Sequence, residues 1–258
     1  MTTAQTLGVN RRALLRFMNG GVGSGHHTAI AALLGEPLAV GLLLHFLRGQ
    51  DFRAECVSTK VTQGTLSGER LDAWVSAEKG GRRVLYQTEI KMWAGNAIGG
   101  LQLSEHADET TLTQGAARQW NRVWDGSRQT FKADNVAKVL LPMKSPAGYE
   151  NWPVEPLACF WWLMRSRPGD GPWFTAGVGE AARQAARSPF REVQVFSLTA
   201  YLQTLKEDML YLHLPVLRDR LEIIGTLLGT PEHHWTETFH ALTRLNEDID
   251  PRITPPDY

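Results

Sequence analysis

Cysteine is scarce in this sequence: only Cys56 and Cys159 occur among 258 residues, both in apolar surroundings and with no Cys-x-x-Cys spacing. That scarcity argues against a disulfide scaffold and a structural zinc site, and it predicts a cytoplasmic setting. Excess charge is missing as well. Lys plus Arg and Asp plus Glu number 27 each, which argues against a protein that coats nucleic acid through bulk charge. Long hydrophobic runs are absent: the stretch from Pro37 to Leu47 stops at Arg48, too short to cross a membrane, and reads as a buried helix. The N-terminal segment holds Arg11, Arg12 and Arg16 without a secretory apolar run and cleavage site. Repeats and low-complexity tracts are not evident. Gly20 to Gly25 is glycine-rich but lacks Gly-Lys-Ser/Thr, which speaks against an NTPase.

What is present is the composition of a globular protein, 43% hydrophobic and 21% charged, in a chain long enough to bury a real core. The pattern predicts an α/β protein with a central mixed sheet of four or five strands flanked by helices, with further C-terminal helices. Residues 1–10 read as loose, with Asn10 capping a short helix through Met18. A helix follows from Thr28, which Gly35-Glu36-Pro37 either interrupts or restarts. Strands are expected over Phe52 to Val61, Arg70 to Val75 and Val84 to Ile90, joined by turns at 62–68 and 78–81 into an antiparallel meander. Beyond it come a helix over Thr111 to Trp124, a strand over Val136 to Pro142 and a buried helix over Cys159 to Met164. Residues 165–189 read as loop or insertion. A strand over Arg191 to Leu198 precedes a helix around Ala200 to Tyr211 and another after Leu214. The expected organisation is an N-terminal extension (1–27), a core (28–212) with an insertion around 145–189, and a C-terminal helical extension with an acidic tail (213–258).

Two of these strands carry the chemistry. Asp72 lies in Glu69-Arg70-Leu71-Asp72-Ala73-Trp74-Val75, and Glu89 and Lys91 lie in Tyr86-Gln87-Thr88-Glu89-Ile90-Lys91. Residues two apart on a strand share a face, so Glu89 and Lys91 point together while Ile90 points to the opposite layer. Adjacent strands can then bring two carboxylates and an ammonium to one place. Asp72 and Glu89 offer hard oxygen ligands for Mg2+ or Mn2+, with the backbone carbonyl of Ile90 as a further ligand. Lys91 is placed to orient the attacking water or to stabilise charge on a phosphate. A buried lysine needs such acids in any case. On the helix expected after the meander, Gln114, Arg118 and Arg122 recur every four residues and share a face. Arg118, Arg122, Arg128, Lys132 and Lys138 are candidates for a phosphate-contacting rim, or for an ordinary solvated face.

This arrangement resembles the PD-(D/E)xK nuclease superfamily, with its restriction-endonuclease-like fold. The resemblance implies an acid from the first helix, an aspartate at the second strand and Glu-x-Lys on the third, roles that Glu36, Asp72, Glu89 and Lys91 match in order. It implies a metal site of Asp72, Glu89, the Ile90 carbonyl and Glu36, with Glu55 or Glu69 as alternatives for the last acid. Gln114 and Gln119 resemble a supporting glutamine-bearing helix. Leu71 stands where the family has proline, a residue that shapes backbone and binds no metal. The implied activity is Mg2+- or Mn2+-dependent hydrolysis of DNA phosphodiesters in defence or nucleic-acid processing, with RNA as a further option and a homodimer as one arrangement. The alternatives are a noncatalytic protein-interaction module, marked by an exposed patch around Trp161 and Trp162, and a nucleic-acid binder that does not cut.

Overall fold

The computed structural model describes residues 6–19, 25–59, 61–62, 70–94, 124–125, 130–131, 136–162 and 171–214. All fall within the first of two units, Met1–Pro215. In chain order the elements are β1 (Thr6–Asn10), α1 (Arg11–Asn19), α2 (Gly25–Gly49), β2 (Arg53–Ser58), β3 (Val61–Thr62), β4 (Arg70–Leu71), β5 (Ala73–Lys79) and β6 (Arg82–Ala94). They continue as β7 (Trp124–Asp125), β8 (Thr130–Phe131), a 3-10 helix (Val136–Leu140), β9 (Val154–Trp162), β10 (Trp173–Gly177), α3 (Glu180–Ala186), β11 (Glu192–Ser197), α4 (Leu198–Thr204) and β12 (Met209–His213).

Six of the strands form a mixed sheet in the order β10-β11-β9-β6-β5-β2. The meander β2-β5-β6 is antiparallel, as its turn chemistry predicts. Gly80 and Gly81 make the β5–β6 turn at φ +57° and +80°, the left-handed values that a two-residue hairpin requires and that glycine adopts without strain. On the other side of β6 the sheet becomes parallel, β6 to β9 and β9 to β11. Strands buried on both faces read as unbroken apolar runs, and this explains one correction. The run ending in Phe160-Trp161-Trp162 is strand β9, where a buried helix over Cys159 to Met164 was expected. Without a turn signal inside it, such a run has no period to separate the two.

Other expectations are corrected by long-range pairing. Residues 6–10 are β1, paired antiparallel with β12 from Thr6↔His213 to Asn10↔Met209. No local signal reveals a partner that distant. Helix α4 ends at Thr204 and β12 begins at Met209, so the expected helix around Ala200 to Tyr211 stops early and its last three residues are strand. The stretch 145–189, read as an insertion, supplies β9 and β10 of the central sheet and α3. The expected strand over Val136 to Pro142 is a 3-10 helix. Helix α2 runs through Gly35-Glu36-Pro37 without interruption. A proline inside a helix costs about 3 kcal/mol, and the buried run from Pro37 to Leu44 that packs around it offsets that loss. The expected helices over Thr111 to Trp124 and after Leu214 lie outside the described residues, save that Trp124 begins β7. Asn10 caps α1 as expected, its Oδ1 accepting from the Ala13 amide at 2.9 Å.

The sheet has two covered faces. On one, Phe46 of α2 stacks on Trp173 and meets Phe196 and Tyr201, while Tyr86 packs edge-on against Trp173. On the other, Trp74, Leu85, Ala158, Phe160, Val193 and Val195 form a core with Val139 and Leu140 of the 3-10 helix and Ala186 of α3. Strand alternation sends Gln87, Glu89 and Lys91 to this second face, beside Leu85. Among the described residues no helix is long and apolar enough to cross a membrane.

Candidate active site

Asp72 occupies the break between β4 and β5 and is clipped to β6 at two points. Its amide donates to the Thr88 carbonyl at 3.0 Å, and its Oδ2 accepts from the Ile90 amide at 2.6 Å. The carboxylate thus takes the place that a strand carbonyl would fill in the ladder, which fixes its position relative to Glu89. The register that makes this possible, Ala73↔Thr88, follows from the hairpin turn.

Glu89 is 1% exposed. Its Oε1 accepts from the Lys91 ammonium at 2.5 Å and from the Lys138 ammonium at 2.9 Å. Its Oε2 is buried and has no hydrogen-bond partner among the described residues. Burial raises the Glu89 pKa, against the opposing pull of the two lysines. Asp72 is pushed up to about 7, first by burial, then by the Glu89 charge, with Glu36 adding a smaller rise; the Ile90 amide and Lys138 oppose it. The mutual effects show several titrating groups within electrostatic reach of one another. Cys159 lies beside Ile90 in the sheet, and burial together with Asp72 and Glu89 raises its thiol pKa, so it is an inert neighbour and no nucleophile.

The structure therefore brings Asp72, Glu89 and Lys91 together, and places Glu36 where its charge is felt at Asp72. Of the alternative acids, Glu55 is on edge strand β2, where its Oε1 accepts from the Tyr149 hydroxyl at 2.6 Å, and Glu69 lies outside the described residues. Gln114, Gln119, Arg118, Arg122, Arg128 and Lys132 also lie outside them. Among the described residues no group of three or more His, Cys, Asp or Glu is arranged to hold a metal ion.

Two contributors were not recognised in the sequence as part of the site. Lys138, read as a rim residue, meets Glu89 from the 3-10 helix and is only 19% exposed. The signal was a lone lysine in the apolar run Val136-Ala137-Lys138-Val139-Leu140-Leu141, a position that demands an acid. Gln87 is fully buried, and its Nε2 donates to the carbonyls of Val139 at 2.5 Å and Leu141 at 2.8 Å. It repeats the two-residue period of Glu89 and Lys91, so its face was legible and its partners were not. No protein-family model, curated protein or solved structure matches the chain.

Proposed function

We propose that this chain is a metal-dependent nuclease of the PD-(D/E)xK kind that hydrolyses DNA phosphodiesters. The observation that carries the reading is a pair of carboxylates, half-buried Asp72 at the β4–β5 break and buried Glu89 on the neighbouring strand, with Lys91 seated on Glu89. Burying like charges together is unfavourable, and a fold retains them where a cation is to be received. The support for a hard divalent ion is the donor chemistry of these two carboxylates. Glu89 Oε2 is a buried carboxylate oxygen without a hydrogen bond among the described residues, and oxygen donors suit Mg2+ or Mn2+.

Asp72 and Glu89 would hold the ion, with the Ile90 carbonyl and Glu36 completing the oxygen set. A divalent ion bound there supplies Lewis acidity to the scissile phosphate and makes water more acidic. Asp72 is oriented for this by the Ile90 amide. Lys91 opposes the rise that burial imposes on the Glu89 pKa and presents an ammonium on the same face, where it orients water or offsets charge on the phosphate. The apolar neighbours exclude bulk solvent, so each charge acts in a low dielectric.

The test is cleavage of linear, supercoiled, single-stranded and branched DNA and of RNA, with Mg2+, Mn2+ or EDTA, by the wild type and by the D72A and K91A variants. Metal-dependent products lost in both folded variants are expected. Equal cutting by all three proteins, or none by the wild type, refutes the assignment. A noncatalytic module is the rival reading, favoured by one observation: two lysines already neutralise Glu89. Its aromatic patch does not materialise at Trp161, which is 1% exposed.

A further inference from the structure

The second lysine at Glu89 comes from a part of the chain remote from the hairpin, and its backbone is firmly placed. Gln87 ties the Val139 and Leu141 carbonyls to β6, and the Leu141 amide donates to the Lys138 carbonyl at 3.1 Å. Val139, Leu140 and Leu141 are buried in the core. The ammonium, by contrast, ends a flexible four-carbon stem and can move while the backbone stays. Of the two lysines sharing Glu89 Oε1, Lys138 makes the longer contact, 2.9 Å against 2.5 Å, and is the more exposed, 19% against 11%. By both measures its hold on Glu89 is the weaker.

Formal charges give the reason to yield. With all five groups ionised, Glu36, Asp72 and Glu89 contribute three negative charges, and Lys91 and Lys138 two positive ones. A divalent ion turns that net charge of minus one into plus one, which one phosphodiester neutralises. An ammonium and a divalent ion crowded on the same buried carboxylate repel strongly.

Resting on the nuclease reading, we propose that Lys138 is a second site lysine with two positions. In the metal-free protein it sits on Glu89, where it competes with a divalent ion. With a divalent ion held at Glu89, its ammonium would instead contact the phosphodiester. Lys138 is thus a built-in competitor for the metal that becomes a substrate contact.

The test measures Mn2+ binding to the full, metal-free chain by calorimetry and electron paramagnetic resonance. It compares wild type with Lys138→Met, Lys138→Arg and Lys144→Met, the last making the same charge change at an exposed lysine. Lys138→Met is expected to bind Mn2+ on the order of tenfold more tightly than wild type, with Lys138→Arg and Lys144→Met near wild type. It is also expected to bind duplex DNA in Ca2+ more weakly, with a salt dependence reduced by about one phosphate contact. If Lys138→Met does not fold, Lys138→Gln is expected to give the same ordering. Mn2+ affinity that stays equal or falls in the folded variant, while wild type binds Mn2+, overturns the Lys138 proposal alone. A wild type that binds no Mn2+ overturns the nuclease reading and this proposal with it.

Discussion

Asp72→Asn keeps an oxygen to accept the Ile90 amide and removes the charge that burial and Glu89 oppose. The folded protein holds the Asp72 proton more tightly than the unfolded chain does, because its pKa stands at about 7 against an ordinary 3.8. Asp72 therefore destabilises the fold increasingly as pH rises from about 4 to about 7, and the penalty is complete above that range. At about 1.4 kcal/mol for each pH unit, the penalty reaches about 4 kcal/mol at pH 8 and stays under about 1 kcal/mol at pH 4. Relaxation of Glu89 and Lys138 toward the altered neighbour reduces the gain, so Asp72→Asn is expected to be about 2 to 4 kcal/mol more stable at pH 8. Urea unfolding in EDTA at both pH values measures this, and the gain corresponds to a midpoint shift of about 1 M. Mg2+ at pH 8 is expected to stabilise wild type and not the variant. A variant less stable than wild type at pH 8, or a gain equal at both pH values, would refute the claim that Asp72 is ionised there against its surroundings.

Glu89→Gln removes a charge whose pKa the fold raises even with two lysines beside it, so the variant is expected to be at least as stable as wild type at pH 8, and thermal unfolding at a lower midpoint would contradict it. Gln87→Leu removes both hydrogen bonds that hold the 3-10 helix and strands two carbonyls; about 2 to 4 kcal/mol should be lost, with amide exchange at residues 138–141 accelerating before the rest of the sheet. Lys91→Met is expected to lower cleavage by about 100-fold or more while Mn2+ binding by calorimetry persists, a split that loss of folding would not produce. Asn10→Ala removes the α1 cap and should cost about 1 kcal/mol, read as a small fall in the midpoint of thermal unfolding.

Much of the site was legible because it is built from local rules. Gly80-Gly81 sets the β5–β6 turn, the turn sets the register, and the two-residue period puts Glu89 and Lys91 on one face. Asp72 falls opposite the end of that strand as a consequence. Glu36 was harder, since proline beside it argued for an interrupted helix, whereas packing of the following residues carries α2 straight through. Glu55 looked like an equal alternative until the sheet order sent it to an edge strand and into the grasp of Tyr149. Composition placed it no nearer or farther than Glu36.

The sequence by itself determined the antiparallel hairpin, the shared face of Glu89 and Lys91 and the capped start of α1, because each depends on residues within a few positions of one another. Only the tertiary structure decided that β1 pairs with β12, that the apolar run of β9 is a parallel strand beside β6, and that Lys138 and Gln87 join the site. Those outcomes depend on which distant segment covers a buried polar group. A buried lysine announces that it needs an acid, but only the folded chain determines which one it meets.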